Sequence, residues 1–403
     1  MDKENTVGAP QNYRLNEYLE TDFLGVFTDV DEADRAHWDR AKQFAEETIP
    51  VIGESWHNAE YPLDLVKRMG ELHLFTDGLE IPGLEPMSAL AAGLVTMEIS
   101  RADGSMGAAA AVQGGLVLRS LAFFASDEQK EKWLLPVATA EVLGSFALTE
   151  PDHGSDSVSL ETTAAREGDE WVLNGHKRWI GNGASGGITI VWARDVGDNQ
   201  VKGFIVEQDT PGYTGVPIAG KGAIRAIHQA DITLEDVRVP ASHQLPGVQS
   251  FKDVSKVLSE TRLSVGWSAL GHGLAMFEAA LNYSKQRVQF GKPLATKQMV
   301  QERLAQMLEE LTNMQLQCVQ ATSLQAAGTL RPQQASLVKY HNTRAARRIA
   351  SIARDLLGGN GILLENHVIR HLLDVEAIHT YEGTESVQAL ILGRELTGYS
   401  AFA

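Results

Sequence analysis

The sequence Tyr381-Glu382-Gly383-Thr384, close to the C-terminus, is the most informative part of the 403-residue chain. Two other stretches of the sequence make this one more informative. Leu148-Thr149-Glu150-Pro151-Asp152-His153-Gly154-Ser155-Asp156 lies far upstream, and Arg287-Val288-Gln289-Phe290-Gly291-Lys292-Pro293 lies between the two. A lone glutamate in a glycine turn is usually a surface residue. The order of the three stretches along the chain is therefore more specific than any one of them.

Hydrophobic patterning divides the chain into helical, sheet-forming and again helical parts. Periodic helical segments cover 41–47, 63–72, 87–101 and 128–138. Runs of β-branched and aromatic residues separated by Gly, Asn and Asp then predict an antiparallel sheet. In the last part, apolar residues alternate at spacings of four and three, which is typical of a helix seam; these are Val300, Leu304, Met307, Leu311, Met314 and Cys318.

These patterns predict an α+β multidomain fold. We expect an N-terminal extension at 1–30 and an N-terminal α-helical domain at 31–144. A middle antiparallel β domain follows at 145–248, and a C-terminal four-helix bundle at 249–403.

Composition restricts the partners. The net charge of −17 argues against nucleic acid and anionic membranes. The single cysteine, Cys318, fits a reducing compartment, and the polar N-terminus lacks a targeting pattern, so we expect a cytoplasmic protein. Gln113 and Arg119 interrupt the apolar stretch 104–124, which favours a buried helix over a membrane span. No residue pattern predicts a bound metal.

The quoted stretches resemble the acyl-CoA dehydrogenase family of flavoenzymes, from about Ala36 to the last residue. The resemblance implies that Glu382 abstracts the α-proton of an acyl-CoA substrate and that FAD is the cofactor. Thr261 stands where some branches carry the base, and threonine cannot serve as one. The resemblance further implies that the substrate is contacted by Ser155, Arg262, Gly107, Ala108, Tyr381 and Gly383.

The same resemblance implies a flavin site shared between subunits, and hence a homo-oligomer, expected to be a tetramer. Within one subunit the residues implied to contact FAD are Phe146, Leu148, Thr149, Ser155, Trp179, Ile180, Thr384 and Ser386. The residues implied to reach a neighbouring subunit's FAD, including the adenosine loop, are Arg287, Phe290, Gln298, Asp355, Gly358 and Gly359.

Two departures concern the substrate and the electron acceptor. The segment after Tyr381 looks most like the glutaryl-CoA dehydrogenase branch, but Gly107 and Ser100 stand where that branch holds a carboxylate-binding arginine and a glutamate. An uncharged, short acyl chain is therefore expected. Gly181 replaces the usual threonine, as in plant peroxisomal short-chain acyl-CoA oxidases. That change is expected to open space above the flavin N5 and to raise oxygen reactivity.

The leading hypothesis is dehydrogenation of a short-chain acyl-CoA to a trans-2-enoyl-CoA without decarboxylation, with electrons passing to an electron-transfer flavoprotein. The alternatives are a short-chain acyl-CoA oxidase that uses O2, a glutaryl-CoA dehydrogenase, and a non-catalytic scaffold that binds acyl-CoA.

Overall fold

The N-terminal domain is built from helices in which capping residues set several of the starting points. The computed structural model describes residues 13–402. Asp31 begins the first helix by accepting a hydrogen bond from the Asp34 N–H (2.8 Å). Ser126 and Gln129 form a reciprocal capping box at the start of the last helix of this domain, Asp127–Ala138. The helices before residue 104 are α1 (Glu32–Thr48), α2 (Ile52–Asn58), α3 (Leu63–Glu71) and α4 (Ala89–Ala102).

The apolar stretch 104–124 forms one continuous helical segment against the core. It consists of α5 (Gly104–Ala110), a π-helical part (Ala111–Leu118) and α6 (Arg119–Phe124), and α7 (Asp127–Ala138) follows. By length and composition this is the one segment of residues 13–402 that could cross a membrane, and 67% of its most apolar window is buried within the protein. Buried core helices of soluble proteins can have the same length and apolar composition.

The middle domain is a seven-stranded sheet in the order β1-β4-β2-β3-β7-β6, with β5 paired to β4. The predicted antiparallel pairing is found in most strand pairs, but β1 and β2 both pair with β4 in parallel. Both parallel pairs join segments that are distant in sequence, which local patterns cannot reveal. The strands are β1 (Gly144–Ala147), β2 (Thr163–Glu167), β3 (Glu170–Gly181), β4 (Ile188–Asp195), β5 (Val201–Glu207), β6 (Tyr213–Pro217) and β7 (Gln229–Pro240).

The C-terminal domain contains the predicted bundle and one further helix. The bundle helices are α8 (Phe251–Gln286), α9 (Gln298–Ala326), α10 (Pro332–Leu356) and α11 (Val368–Thr380), and α12 (Glu385–Thr397) packs on α10. The short strands β8 (Val288–Gln289) and β9 (Lys292–Pro293) connect α8 to α9. In the predicted seam of α9, the four positions from Met307 to Cys318 are fully buried.

The N-terminal and C-terminal domains are joined by contacts on α8. Before α1, the described part of the extension lies along α8, where Asn282 Nδ2 donates to the carbonyl of Glu17 (3.1 Å). α4 also packs closely on α8: a Cβ at Gly271 would lie 2.1 Å from the Met97 carbonyl oxygen. This close approach holds the N-terminal and C-terminal domains in fixed positions on either side of the cavity described next.

Candidate active site

Glu382 lies in a tight turn between α11 and α12. The Thr384 hydroxyl begins α12 by accepting a hydrogen bond from the Val387 N–H (3.3 Å). Glu382 and Gly383 have φ values of 57° and 82°. This left-handed region suits glycine and is unfavourable for a residue with a Cβ atom. The strain at Glu382 therefore has to be offset by the groups around the turn.

Glu382 is half-buried. The Thr261 hydroxyl donates a hydrogen bond to Glu382 Oε1 (2.6 Å). Burial raises the pKa of Glu382, while the Thr261 hydrogen bond and the charges of Lys339 and Arg262 act in the opposite direction. A carboxylate with a raised pKa that a ligand can still reach is suited to general base catalysis.

Arg262 lies on α8 one residue after Thr261 and supplies positive charge to the site. Its Nη1 donates to the Ser336 hydroxyl (3.1 Å), whereas its buried Nε has no protein partner among residues 13–402. Burial lowers the pKa of Arg262, and the Glu382 carboxylate opposes that shift. The unpaired Nε leaves a donor available to a ligand.

Lys339 is a site residue that the sequence reasoning missed. It is 1% exposed, and its Nζ donates to the main-chain carbonyls of Tyr381 and Gly383. A signal was present in the sequence. Lys339 interrupts the apolar positions of α10 at helical spacing, with Ala335 and Val338 before it and Ala346 after it. A lysine on a buried helix face requires a specific partner.

A narrow, mostly apolar cavity lies beside this turn, and the about 530 Å³ of space at this place includes a part that is open to solvent. Tyr381 lines it, as do the predicted substrate residue Gly107 and two further small residues of the same helical segment, Ala110 and Ala111. Ala108, also predicted to contact substrate, is buried but does not line the cavity. At helical spacing, residues 107, 110 and 111 share a face that excludes 108.

No cationic side chain of residues 13–402 lines the cavity. A Cβ at Gly107 would lie 2.7 Å from the Ser100 hydroxyl oxygen, and that hydroxyl donates to Ser268 Oγ (2.9 Å). Asp77 is the one charged residue that lines the cavity among residues 13–402, and it is paired with Arg119 (2.6 Å). The cavity is therefore suited to an uncharged chain.

The predicted flavin residues of one subunit gather where β1 and β3 end. The Arg178 N–H donates to the Thr149 carbonyl (2.9 Å), which joins the loop after β1 to β3. Phe146, Leu148 and Ile180 are buried, and Thr149 is half-buried. Ser155 and Ser386 are exposed.

This edge fits a flavin ring. Trp179 is 53% exposed with a φ of 66°, so a large aromatic side chain is held in a strained backbone, and the Arg178 guanidinium lies over its ring, 5.0 Å from the ring centre. A planar aromatic ligand can stack on such an indole. Thr149 and the backbone beside it offer polar groups of the kind that bind the edge of the ring. We therefore assign Thr149, Trp179 and the buried Phe146, Leu148 and Ile180 as the residues that would hold the flavin.

The missing side chain at Gly181 does not leave the open space beside it that the sequence predicts. A Cβ at Gly181 would lie 2.9 Å from Val112 Cγ2. Val112 belongs to the π-helical part of the segment 104–124, which brings its side chain against the end of β3. The volume that a threonine would occupy is therefore filled from another domain, which the sequence pattern could not reveal.

The residues predicted to serve a neighbouring subunit lie on the outer surface. Arg287 Nη1 donates to the Tyr13 hydroxyl (3.1 Å), and the Tyr13 ring packs on Tyr283, whose hydroxyl accepts from Asn360 Nδ2 (2.9 Å). These contacts place Arg287 beside the loop of Gly358 and Gly359. Asp355 pairs with Arg303 (2.9 Å), Phe290 is 93% exposed, and Gln298 is exposed at the start of α9.

Comparisons with known proteins agree with this geometry. The family models for the N-terminal, middle and C-terminal domains of acyl-CoA dehydrogenase match residues 31–141, 145–237 and 251–397. Short-chain specific acyl-CoA dehydrogenase from Mus musculus mitochondria is 34% identical over 366 residues, which cover 88% of each chain.

Two crystal structures of glutaryl-CoA dehydrogenase from Mycobacterium smegmatis are also similar. One has a TM-score of 0.92 at 38% identity, covering 95% of this chain and 99% of that one. The other, a complex with FADH2, has a TM-score of 0.91 at 36% identity, covering 97% and 100%. With matches to all three domains and to the whole fold, the chain belongs to the acyl-CoA dehydrogenase family and is an FAD-dependent oxidoreductase.

Proposed function

We propose that this enzyme dehydrogenates a short-chain, uncharged acyl-CoA to the trans-2-enoyl-CoA without decarboxylation and passes the electrons to an electron-transfer flavoprotein. The observation that carries the proposal is the position of Glu382. Its carboxylate accepts a hydrogen bond from Thr261, and the preceding residue, Tyr381, lines an apolar cavity that no cationic side chain of residues 13–402 lines. The short-chain name of the mouse relative supports the same substrate class.

Glu382 is proposed to act as the base. Its ionised carboxylate takes the α-proton of the thioester, and burial makes that carboxylate more basic than a solvated one. The Glu382 N–H has no hydrogen-bond acceptor among residues 13–402, so it is free to donate to the thioester oxygen as negative charge develops there. FAD supplies the acceptor for the β-hydride when it is bound.

The substrate preference can be measured with a panel of thioesters from butyryl-CoA to palmitoyl-CoA, together with glutaryl-CoA. We expect butyryl-CoA to bleach the flavin under anaerobic conditions at least about tenfold faster than glutaryl-CoA. A distal carboxylate would meet Asp77 and no cation in the cavity, and an unpaired charge is costly to bury. Glutaryl-CoA reacting as fast as butyryl-CoA, with release of CO2, would establish the glutaryl-CoA dehydrogenase alternative.

Val112 supports a protein acceptor over O2. The oxidase hypothesis rests on space at Gly181, and the side chain of Val112 occupies that space. The lost threonine hydroxyl remains as a difference from most of the family, but access for a gas molecule is not increased. We therefore propose the dehydrogenase over the oxidase.

A Val112→Ala variant is expected to be reoxidised by air severalfold faster than the parent after reduction by butyryl-CoA, because it opens the space beside Gly181. The matched control is Val117→Ala on the same segment, where the side chain packs on Gly144 of β1. Stopped-flow recovery of flavin absorbance measures both variants. Rapid reoxidation of the parent itself, at a rate that Val112→Ala leaves unchanged, would favour the oxidase.

The assembly and the location are also proposals. The exposed Phe290 and the Arg287 surface support a homo-oligomer, proposed to be a tetramer, in which these residues reach a second subunit. The buried, unpaired Cys318 fits a reducing compartment, and we propose the cytoplasm.

A further inference from the structure

The turn that carries Glu382 is held by side chains from two helices. Lys339 of α10 donates to the carbonyls of Tyr381 and Gly383, on either side of Glu382. Gln388 of α12 donates from Nε2 to the carbonyls of Glu382 (3.1 Å) and Gly383 (3.0 Å). Each carbonyl from Tyr381 to Gly383 therefore has a side-chain donor.

This arrangement explains how a glutamate occupies a left-handed backbone. Such a conformation is unfavourable for a residue with a Cβ atom, and it persists only where the surroundings impose it. A carbonyl turned into the protein also needs a donor. The Lys339 ammonium supplies donors to two carbonyls at once, so it stabilises the one backbone geometry that directs the Glu382 side chain into the site.

Lys339 also acts on the Glu382 carboxylate through its charge. Burial lowers the pKa of Lys339 to about 7, and the negative charge of Glu382 opposes that shift. In return, Lys339 opposes the raised pKa that burial gives to Glu382. Among residues 13–402, the charged groups that act on this pair are Arg262 from α8 and the two partners themselves, while α12 presents the neutral Gln388.

We infer that Lys339 is a positioning residue for the catalytic base: it fixes the backbone turn on both sides of Glu382 and sets a positive charge at that turn. The inference rests on the proposed role of Glu382. It assigns to the reaction a buried lysine that has no contact with the cavity, and it separates two contributions, hydrogen bonds to the turn and positive charge beside the carboxylate.

Two variants separate these contributions. Lys339→Met removes both the donors and the charge, whereas Lys339→Gln keeps a donor without the charge. The measurement is the limiting rate of anaerobic flavin bleaching by butyryl-CoA across a range of pH. In Lys339→Met we expect a rate about 10- to 100-fold lower. In both variants the acidic limb of the profile moves to higher pH by about 1 unit or more, because an opposite charge beside the carboxylate is lost.

The control is Asn342→Ala, on the same face of α10. Asn342 is fully buried and donates from Nδ2 to the Gly266 carbonyl (3.2 Å), away from the turn. It should lower the melting temperature yet leave the acidic limb in place. The limb shift is a readout that a purely structural role would not produce.

A parent-like rate and acidic limb in both Lys339 variants would overturn the inference. If Lys339→Met fails to fold or to hold FAD, the position of the acidic limb in the pH profile of Lys339→Gln tests the inference instead. The base assignment is tested separately. Bleaching by Glu382→Gln would refute the role of Glu382 itself, whereas an inactive Glu382→Gln beside parent-like Lys339 variants would refute only the role of Lys339.

Discussion

Glu382→Gln is expected to bind FAD and acyl-CoA as the parent does and to lose anaerobic flavin bleaching by about 10²- to 10⁴-fold, the contribution of a positioned general base. The amide has nearly the same shape as the carboxylate, and its oxygen can still accept the hydrogen bond from Thr261. It cannot accept a proton at neutral pH. The loss therefore reports on chemistry more than on folding.

The pH dependence of the parent follows from the same carboxylate. Burial raises the pKa of Glu382, and only the deprotonated form can take the α-proton. The bleaching rate should therefore be constant at higher pH and fall as the pH is lowered through that raised value. The decline should begin at a higher pH than for an ordinary, solvated glutamate.

The matched control is Glu385→Gln, at the start of α12. Glu385 pairs with Arg344 and with His379 (3.3 Å) at the surface. The Glu385→Gln variant carries the same chemical change only a few residues from Glu382. Because surface ion pairs contribute little to stability, we expect its bleaching rate to stay within about twofold of the parent. Equal losses in both variants would point to damage to the turn, and retained bleaching in Glu382→Gln would mean that another group is the base.

Arg370→Met is expected to lower the stability of the folded protein by about 3 to 5 kcal/mol, the usual cost of leaving one member of a buried ion pair alone. Arg370 on α11 pairs with Asp103, and both side chains are almost completely buried. Asp103 begins α5 by accepting a hydrogen bond from the Ser105 N–H (2.7 Å). The pair thus joins the helix that lines the cavity to the C-terminal domain.

The loss should depend on pH. Burial raises the pKa of Asp103, and the charge of Arg370 opposes that shift. Without Arg370, the carboxyl group is more easily protonated, and a neutral group needs no counter-charge. The difference in apparent Tm between Arg370→Met and the parent should therefore shrink as the pH is lowered.

An exposed ion pair provides the control. Arg238 pairs with Glu167 (2.9 Å) and Glu170 (3.4 Å), each about half exposed. Arg238→Met should lower the apparent Tm far less than Arg370→Met does, because solvent screens such pairs. Similar Tm losses for the two variants, or a loss in Arg370→Met that does not change with pH, would contradict this description of the buried pair.

Local patterns were sufficient for most of the fold. The alternation of apolar residues placed the α9 seam, and Met307, Leu311 and Cys318 are buried as that pattern predicts. The parallel partners of β4 were not predictable, because pairing between distant segments depends on the packing of the whole domain. The π-helical part of 104–124 is likewise set by its contacts with β1 and α8, not by composition.

The candidate site likewise contains some residues that the sequence predicts and others that only the folded chain reveals. Glu382 and Arg262 were identified from short motifs, whereas Lys339 and Val112 act through neighbours that only the folded chain supplies. Lys339 is recognisable once its buried carbonyl partners are known. Val112 reverses the expectation at Gly181, because the missing side chain of one domain is replaced by a side chain of another. Motifs indicate candidate reactive groups, and packing between domains determines what surrounds them.

The most direct test of Glu382 as the base is a crystal structure of the enzyme with FAD and an unreactive thioether analogue of butyryl-CoA. A Glu382 carboxylate oxygen should lie about 3 to 3.5 Å from the α-carbon, on the side of the acyl chain opposite the flavin ring. A carboxylate turned away from the α-carbon, or an acyl chain outside the cavity lined by Tyr381 and Gly107, would contradict the proposed reaction.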